Sequence, residues 1–278
     1  MPEGPEAVHM SCMVDNVLSM NTLNRVQFMR GRYVNHGPPI GFAAFKRALP
    51  LKLVKVDSKG KVIFFHFSNG WYMVSKLGMS GIWYVDGSNT VPTWRAEFKS
   101  VAFEFGNRKT LIYSDPRSYG TLVFTHNVDE IQAEYTRLAP DIMVTATSWN
   151  VFWSRLQGLF RVERKNNTGN KELEAVLSDQ KLLMSGIGNY LKSEIMYAAK
   201  ISPHRKIANI SQAEWKTLFL QAKRVTARML RALQSNNIDA YEANMRVYRK
   251  EKDSLSNPVK TYTNAVNRTI YWVPAIQN

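Results

Sequence analysis

The chain has 278 residues and a formal net charge of +15, from 37 Lys and Arg against 22 Asp and Glu. This length suits one large or two ordinary domains, and no apolar run approaches the roughly 20 residues of a transmembrane helix, so we expect a soluble protein without a membrane partner. The single cysteine, Cys12, excludes an intrachain disulfide and a thiolate zinc cluster, and the five histidines lack metal-ligand spacing. The basic excess is spread along the chain and favours nucleic acid as the partner, with general solubility as the alternative.

The first half of the sequence predicts one helix followed by β structure. Apolar residues recur at helical spacing between Glu6 and Met20, and Pro5 suits the first turn of such a helix. Residues 21–124 contain short apolar runs separated by turn residues, and Asn69-Gly70 between two of these runs is typical of a hairpin. Several short strands joined by turns predict a sandwich or a barrel.

After about residue 128 the pattern becomes helical. The segments with helical periodicity are EIQAEYTRLA, WNVFWSRLQG, ELEAVLSDQ, IGNYLKSEIMYAAK and SQAEWKTLFLQAKRVTARMLRALQ. From Met245 onward the sequence returns to strand-like alternation around turns. The residues therefore predict a β-rich first half with a leading helix, a helical second half and a small terminal hairpin.

A glycine-rich turn precedes one of these predicted helices. Gly186 and Gly188 stand just before Asn189. Glycine at a helix entry lets backbone N–H groups approach an anion, the helix dipole adds attraction, and the amide of Asn189 adds a further phosphate donor. The alternative is a helix–turn–helix corner whose glycines serve tight packing, and the motif alone does not separate the two.

Two further turns each follow a predicted strand and carry large side chains among small ones. SKLGMSG contains Met79, and DPRSYG contains Arg117 and Tyr119. A protein that extrudes a base from a duplex must fill the gap, and a flexible Met, a long Arg and an aromatic ring are suited to this. The alternative, which spacing alone favours, is that Met79 and Tyr119 are core residues and that Arg117 pairs with Asp115.

The opening stretch MPEGPE places two carboxylates, Glu3 and Glu6, just after Pro2. Taken alone, this is consistent with a helix lead-in whose acidic residues complement the helix dipole. However, MPEGPE, Gly60-Lys61, KLGMSG, DPRSYG and SDQKLLMSGIGNYLKSEI follow one another in an order typical of one enzyme family. Over nearly its whole length the chain resembles the formamidopyrimidine-DNA glycosylase/endonuclease VIII family.

The resemblance implies an α+β fold with a catalytic N-terminal β-sandwich at residues 1–128 and a helical DNA-binding domain at residues 129–278. The second domain would contain a helix–two-turn–helix at about residues 171–199 and a β-hairpin finger at about residues 244–274. Many relatives bind zinc in this finger through four cysteines, but the chain has no cysteine after Cys12. It is similar in this respect to the zincless-finger endonuclease VIII-like subgroup, so we expect no metal and no cofactor.

The resemblance also assigns catalytic roles. Removal of Met1 would leave Pro2 as the amino terminus, whose α-amine, with a reference pKa of roughly 8, can attack a sugar carbon and form a cationic iminium. Glu3 matches the family's proton donor to the opening sugar, and Glu6 matches the second acid, which holds the terminus in place. Lys61 matches the hairpin lysine that contacts the lesion's sugar–phosphate, with a solvated strand lysine as the alternative.

The expected gap-filling side chains are Met79, Arg117 and Tyr119. Ser118 replaces a second arginine often found in the family, which puts one phosphate contact in doubt.

Further DNA contacts are implied for the second domain. Gly188 and Asn189 match the phosphate-binding turn of the helix–two-turn–helix. Arg268, at a predicted hairpin turn, matches the finger arginine that reaches phosphate beside the lesion, with a plain surface residue as the alternative. Tyr271 and Trp272 would help to pack this hairpin.

The expected activity is that of a monomeric bifunctional DNA glycosylase/AP lyase of base excision repair. The short segment SNNIDAYEANMRVY leaves little room for the capping loop of 8-oxoguanine specialists, which favours oxidised pyrimidines, hydantoins and formamidopyrimidines in duplex or single-stranded DNA. The rivals are an 8-oxoguanine-preferring glycosylase and a non-catalytic DNA-binding module, which a retained Met1 would favour because a blocked amine forms no iminium. No secretion or membrane signal is evident, so the expected location is intracellular, and a virus-encoded member would act in its host cell.

Overall fold

The chain folds into two compact units. The computed structural model describes residues 2–87, 97–162, 168–235 and 238–278. The first unit comprises Pro2 and Glu6–Arg137, and the second comprises Glu3–Pro5 and Leu138–Asn278. Met1, whose removal the sequence predicts, lies outside the described residues.

In the described residues of the first unit there are a leading helix, eight strands and three further helices. The leading helix α1 begins at Gly4, so Pro5 lies in its first turn as predicted. The elements are α1 (Gly4–Leu18), β1 (Thr22–Phe28), α2 (Arg32–Asn35), α3 (Phe42–Ala48), β2 (Leu51–Lys59), β3 (Val62–Phe67), β4 (Tyr72–Lys76), β5 (Ile82–Val85), β6 (Lys99–Phe105), β7 (Thr110–Ser114), β8 (Thr121–Thr125) and α4 (Val128–Arg137).

The eight strands form an antiparallel sandwich. Their order is β5-β7-β6-β1-β2-β3-β4-β8, and the β1–β2 junction has only two register pairs, which lets the two halves fold over one another. The halves meet in one apolar core, where the ring of Trp83 on β5 lies 5.0 Å from the ring of Phe65 on β3. Indole Nε1 of Trp83 donates to Ser75 Oγ on β4 at 2.9 Å, so the one polar atom of this buried ring is satisfied.

Helices α2 and α3 differ from the prediction, which had β structure throughout residues 21–124. Each follows a glycine with φ 76, Gly31 and Gly41, and neither is long enough to give a periodic signal. They form because their aromatic residues complete the sandwich core: Phe45 is fully buried, and its ring lies 4.5 Å from that of Phe124. Tertiary packing therefore overrides the local pattern here.

The first unit continues beyond residue 128 to Arg137 because α4 packs on the sheet. The rings of Phe64 and Tyr135 are 4.2 Å apart, Lys76 Nζ lies 2.9 Å from Glu134, and Lys59 Nζ donates to the carbonyl of Tyr135 at 2.7 Å.

The second unit is helical with one terminal hairpin. Helix α8 begins with a capping box in which Ser211 and Glu214 satisfy each other's backbone N–H groups. Buried side chains of α5, α7 and α8 form its core. The elements are α5 (Trp149–Val162), α6 (Leu173–Ser178), α7 (Asn189–Ala199), α8 (Gln212–Gln234), α9 (Ile238–Ala243), β9 (Lys260–Thr263) and β10 (Thr269–Trp272).

This architecture confirms the predicted α+β fold. Helices α6 and α7 with the two turns between them lie in the predicted helix–two-turn–helix region, and β9 pairs with β10 in the predicted finger. Residues 236–237, in the short segment before the finger, lie outside the described part of the chain. Among the described residues, no helix combines the length and the apolar character needed to cross a membrane.

Candidate active site

Pro2 and Glu6 lie at the entrance of α1, in the first unit. Pro2 is buried, and Glu6 is half-buried in the first turn of the helix. His9 follows one turn later; burial lowers the pKa of this imidazole, and the negative charge of Glu6 partly opposes that shift. This end of α1 therefore combines a buried proline with a carboxylate and a histidine of lowered pKa.

Lys61 lies at the tip of the β2–β3 hairpin. Lys59 pairs with Val62, which leaves Gly60 and Lys61 as a two-residue loop. Gly60 has φ +61, the left-handed conformation that such loops require and that glycine adopts without strain. Lys61 is half-buried in this loop.

The gap-filling candidates lie on two neighbouring loops of the first unit. We call residues 77–81 the Met79 loop and residues 115–120 the Arg117 loop. A guanidinium nitrogen of Arg117 lies 3.7 Å from Sδ of Met79, and Tyr119 is 62% exposed. Tyr119 is thus no core residue, and the carboxylate of Asp115 accepts hydrogen bonds from Ser80 and from the Gly120 N–H. This exposure argues against a core role for Tyr119, and gap filling by these side chains stays a prediction.

Glu3 is fully buried at the N-terminus of α7, in the second unit. Its Oε2 accepts hydrogen bonds from the N–H groups of Gly188 at 2.7 Å and Leu191 at 3.2 Å, and its Oε1 accepts one from Tyr190 at 2.9 Å. These are the N–H groups that a helix leaves without an internal partner, and the helix dipole adds attraction for a negative charge. The carboxylate is therefore held in a single orientation.

Two glycines bring Glu3 to this helix. The N–H of Gly4 donates to the carbonyl of Gly186 at 2.8 Å. A Cβ on Gly4 would lie 3.1 Å from both Cα and O of Gly186, which itself has φ +96. The side-chain amide of Gln180 then fixes the turn by accepting from the Gly186 N–H and donating to the Ile187 carbonyl. Glycine suits position 4 because the two backbones pack closely, and it suits position 186 because of the positive φ.

The phosphate-binding role of Gly188 and Asn189 stays a prediction. The N–H of Gly188 donates to Glu3, so this group is already engaged. Nδ2 of Asn189 donates to the carbonyl of Thr269 at 2.9 Å. The structure thereby joins the start of α7 to the finger strand that follows Arg268.

Arg268 is half-buried at the end of the finger turn. Its N–H donates to Oδ1 of Asn264 at 2.8 Å, and the Asn264 N–H donates back to the Arg268 carbonyl at 3.0 Å. The predicted packing of the finger is also present: the ring of Trp272 lies 5.3 Å from that of His204, and Tyr271 lies 5.0 Å from Tyr248. Within the described residues, no three His, Cys, Asp or Glu side chains form a candidate metal site.

A buried ion pair supports the finger turn, and no sequence pattern predicted it. Lys192 Nζ lies 2.5 Å from Glu174 Oε2, with the two side chains 2% and 5% exposed. Nδ2 of Asn264 donates to both oxygens of Glu174 at 3.1 Å. Burial lowers the pKa of Lys192, while the hydrogen bond and the charge of Glu174 oppose that shift. Burial of a Lys or a Glu has no local sequence pattern, so only the structure reveals the pair.

Three family models match the chain in succession. They describe the N-terminal domain of formamidopyrimidine-DNA glycosylase at residues 1–122, its H2TH domain at residues 138–239 and its C-terminal domain at residues 237–278. Together they span nearly all of the sequence.

Similar proteins carry two related names. A formamidopyrimidine-DNA glycosylase of Mycoplasma mobile is 25% identical over 81% of this chain and 76% of its own. An endonuclease 8 of Pectobacterium carotovorum is 24% identical over the full length of both chains. Among solved structures, the Lactococcus lactis glycosylase bound non-covalently to DNA with an abasic site has a TM-score of 0.80 at 19% identity and covers 99% of each chain. The same Lactococcus enzyme, in a complex with DNA containing an oxidised pyrimidine, has a TM-score of 0.81 at 19% identity and covers 100% of each chain.

The succession of the three domains, matched in sequence and in fold, shows that this chain belongs to the formamidopyrimidine-DNA glycosylase/endonuclease VIII family of DNA glycosylases with AP lyase activity.

Proposed function

We propose that the chain is a monomeric bifunctional glycosylase that removes oxidised pyrimidines, hydantoins and formamidopyrimidines through an iminium at Pro2. The observation that carries the proposal is the anchored Glu3: the residue next to Pro2 is a fully buried carboxylate with three backbone donors. Removal of Met1 would give Pro2 a secondary amine, and a carboxylate on the next residue that can accept a proton and pass it on supports amine attack on the sugar.

The chemistry follows from a free amine at Pro2. Its nitrogen attacks C1′ of the damaged nucleotide as the glycosidic bond breaks, and the departing base takes a proton from solvent. The attached amine gives its proton to the Glu3 carboxylate, which passes it to the ring oxygen as the sugar opens. Cleavage of the C1′–ring oxygen bond leaves an iminium that draws electrons from C2′. Loss of the C2′ proton expels the 3′ phosphate, and a second elimination expels the 5′ phosphate. Glu6 orients the amine, and Lys61 contacts the sugar–phosphate.

DNA binding uses the remaining side chains. Met79, Arg117 and Tyr119 fill the gap that the extruded nucleotide leaves in the stack. An amide has two N–H donors, so Asn189 donates one to the finger and the other to phosphate. Arg268 binds phosphate beside the lesion, and the net charge of +15 supplies the salt-dependent part of the affinity.

Reductive trapping tests the proposal. Borohydride should convert the iminium formed with abasic-site DNA into a stable covalent complex. Pro2→Leu should abolish trapping, because Met1 is retained before a large residue, and intact mass verifies the start of each protein. Pro38→Leu, at an exposed proline of the same unit, is the matched control and should trap normally.

Two outcomes would overturn the proposal. If wild-type protein that starts at Pro2 binds abasic DNA but is not trapped, the chain is a DNA-binding module without this chemistry. If 8-oxoguanine is cut faster than oxidised pyrimidines and hydantoins, the substrate assignment is wrong. Glu3→Gln should bind DNA yet lose excision, and full activity in that variant would remove Glu3 from the mechanism.

A further inference from the structure

Asp115 connects the two loops that carry the gap-filling side chains. Its Oδ1 accepts a hydrogen bond from Ser80 Oγ of the Met79 loop at 2.5 Å. Its Oδ2 accepts one from the Gly120 N–H of the Arg117 loop at 2.7 Å. One carboxylate, 4% exposed, thus holds both loops.

Ser80 makes a second hydrogen bond between the two loops. While its hydroxyl donates to Asp115, its oxygen accepts the Arg117 N–H at 3.1 Å. The backbone of Arg117 is therefore fixed by the residue that follows Met79. Removing this one hydroxyl would take a hydrogen bond from the buried carboxylate of Asp115 and release the backbone N–H of Arg117 from the Met79 loop.

The loops are packed so closely that no side chain fits between them. A Cβ on Gly78, which has φ +60, would lie 2.7 Å from the Gly120 nitrogen, and a Cβ on Gly120 would lie 1.7 Å from the Tyr113 hydroxyl. Burial raises the pKa of Tyr113 well above its usual range, and the nearby charge of Asp115 raises it further. The phenol of Tyr113 therefore stays neutral and packs against Gly120 of the Arg117 loop without adding a second charge.

We propose that Asp115 and Ser80 are positioning residues that fix Met79 and Arg117 as one preformed plug. This inference rests on the proposed gap-filling role of those side chains. A plug assembled before binding does not have to order two separate loops when it enters the duplex, so less conformational entropy is lost at that step. A substrate without a partner strand has no gap to fill, and its processing does not depend on the plug.

The test measures insertion of the plug into duplex DNA separately from excision and covalent trapping. A fluorescent 2-aminopurine opposite a stable abasic analogue in duplex DNA reports insertion on binding. Ser80→Ala and Asp115→Asn should lower the inserted fraction and slow excision from duplex DNA by about ten-fold or more, the effect of losing one hydrogen bond to a charged group. Borohydride trapping on single-stranded abasic DNA should be unchanged.

Controls separate a specific effect from misfolding. Ser19→Ala removes a hydroxyl that donates to the Val54 carbonyl at 3.0 Å on the exposed surface of the same unit, and it should behave as wild type. Ser80→Thr keeps the hydroxyl and should restore most of the insertion signal. Thermal unfolding of each variant reports whether the unit is intact.

The outcomes distinguish this inference from the proposed function. An unchanged insertion signal in Ser80→Ala, or equal losses on duplex and single-stranded DNA, would overturn the positioning role. A wild-type protein that inserts but is never trapped would overturn the iminium chemistry and leave the positioning role standing, provided that Ser80→Ala lowers insertion.

Discussion

Replacing Lys192 by methionine should lower the free energy of unfolding by about 3–5 kcal/mol, the usual cost of removing one partner of a buried ion pair. Lys192 Nζ donates to Glu174 at 2.5 Å and to Ser178 Oγ at 2.7 Å. Without the ammonium, the buried carboxylate of Glu174 lacks its compensating cation. The same cost is expected for Glu174→Leu, because the Lys192 ammonium then stays buried without its carboxylate partner.

The double variant separates burial of charge from loss of packing. With Lys192→Met and Glu174→Leu together, no uncompensated charge remains, and a buried pair replaced by apolar residues is often close to neutral. The side-chain amide of Asn264 then has lost the two Glu174 oxygens that accepted its hydrogen bonds. This loss should still lower the free energy of unfolding by about 1–3 kcal/mol. The double variant should therefore be more stable than either single variant.

Urea unfolding of the four proteins at one pH measures this directly. Lys99→Met is the matched control, because Lys99 pairs with Asp86 at 2.9 Å near the surface and such pairs contribute about 0–1 kcal/mol. If Lys192→Met costs no more than this control, or if the two single costs add in the double variant, the buried pair is not what stabilises this region. Because Asn264 forms the turn before Arg268, the single variants should also bind DNA more weakly.

Three further predictions concern other parts of the chain. Asp57→Asn should cost stability at neutral pH: burial raises the pKa of Asp57, but hydrogen bonds and charge from its neighbours hold it well below its usual range. A depressed carboxyl pKa adds stability that is fully present above the unfolded value of about 4, so the advantage of the wild type over the variant should decline progressively below pH 4, toward the lower folded pKa, in urea titrations. Gly4→Ala should weaken borohydride trapping and lower stability by about 1–3 kcal/mol, since the added Cβ meets the backbone of Gly186. Arg268→Ala should weaken binding to abasic DNA and reduce the slope of log affinity against log salt by about 0.9.

Each of these has its own check. Asp86→Asn, at a more exposed pair, should leave the acid dependence of the free energy of unfolding unchanged. If Asp86→Asn changes this dependence as much as Asp57→Asn does, the effect is not specific to Asp57. Normal trapping by Gly4→Ala would show that the Gly4 contact can relax without moving Glu3. A salt slope that is unaltered in Arg268→Ala would mean that this guanidinium does not neutralise a phosphate.

Sequence patterns anticipated the elements that carry local periodicity. The alternating runs around Asn69-Gly70 became β3 and β4, and the amphipathic stretch after Ser211 became α8 with its capping box. Short helices α2 and α3 were missed because fewer than two turns carry no period, and their formation depends on Phe42 and Phe45 packing into the sandwich core.

By itself, the sequence determined the family, the α+β class and the set of candidate residues, because ordered motifs and turn residues are local properties of the chain. Only the tertiary structure decided how those residues are held. Glu3 finds its donors 185 to 188 residues away at the start of α7, and Asp115 finds Ser80 35 residues away. Contacts at such separations depend on which backbones pack closely enough for a hydrogen bond, and no spacing in the chain records that.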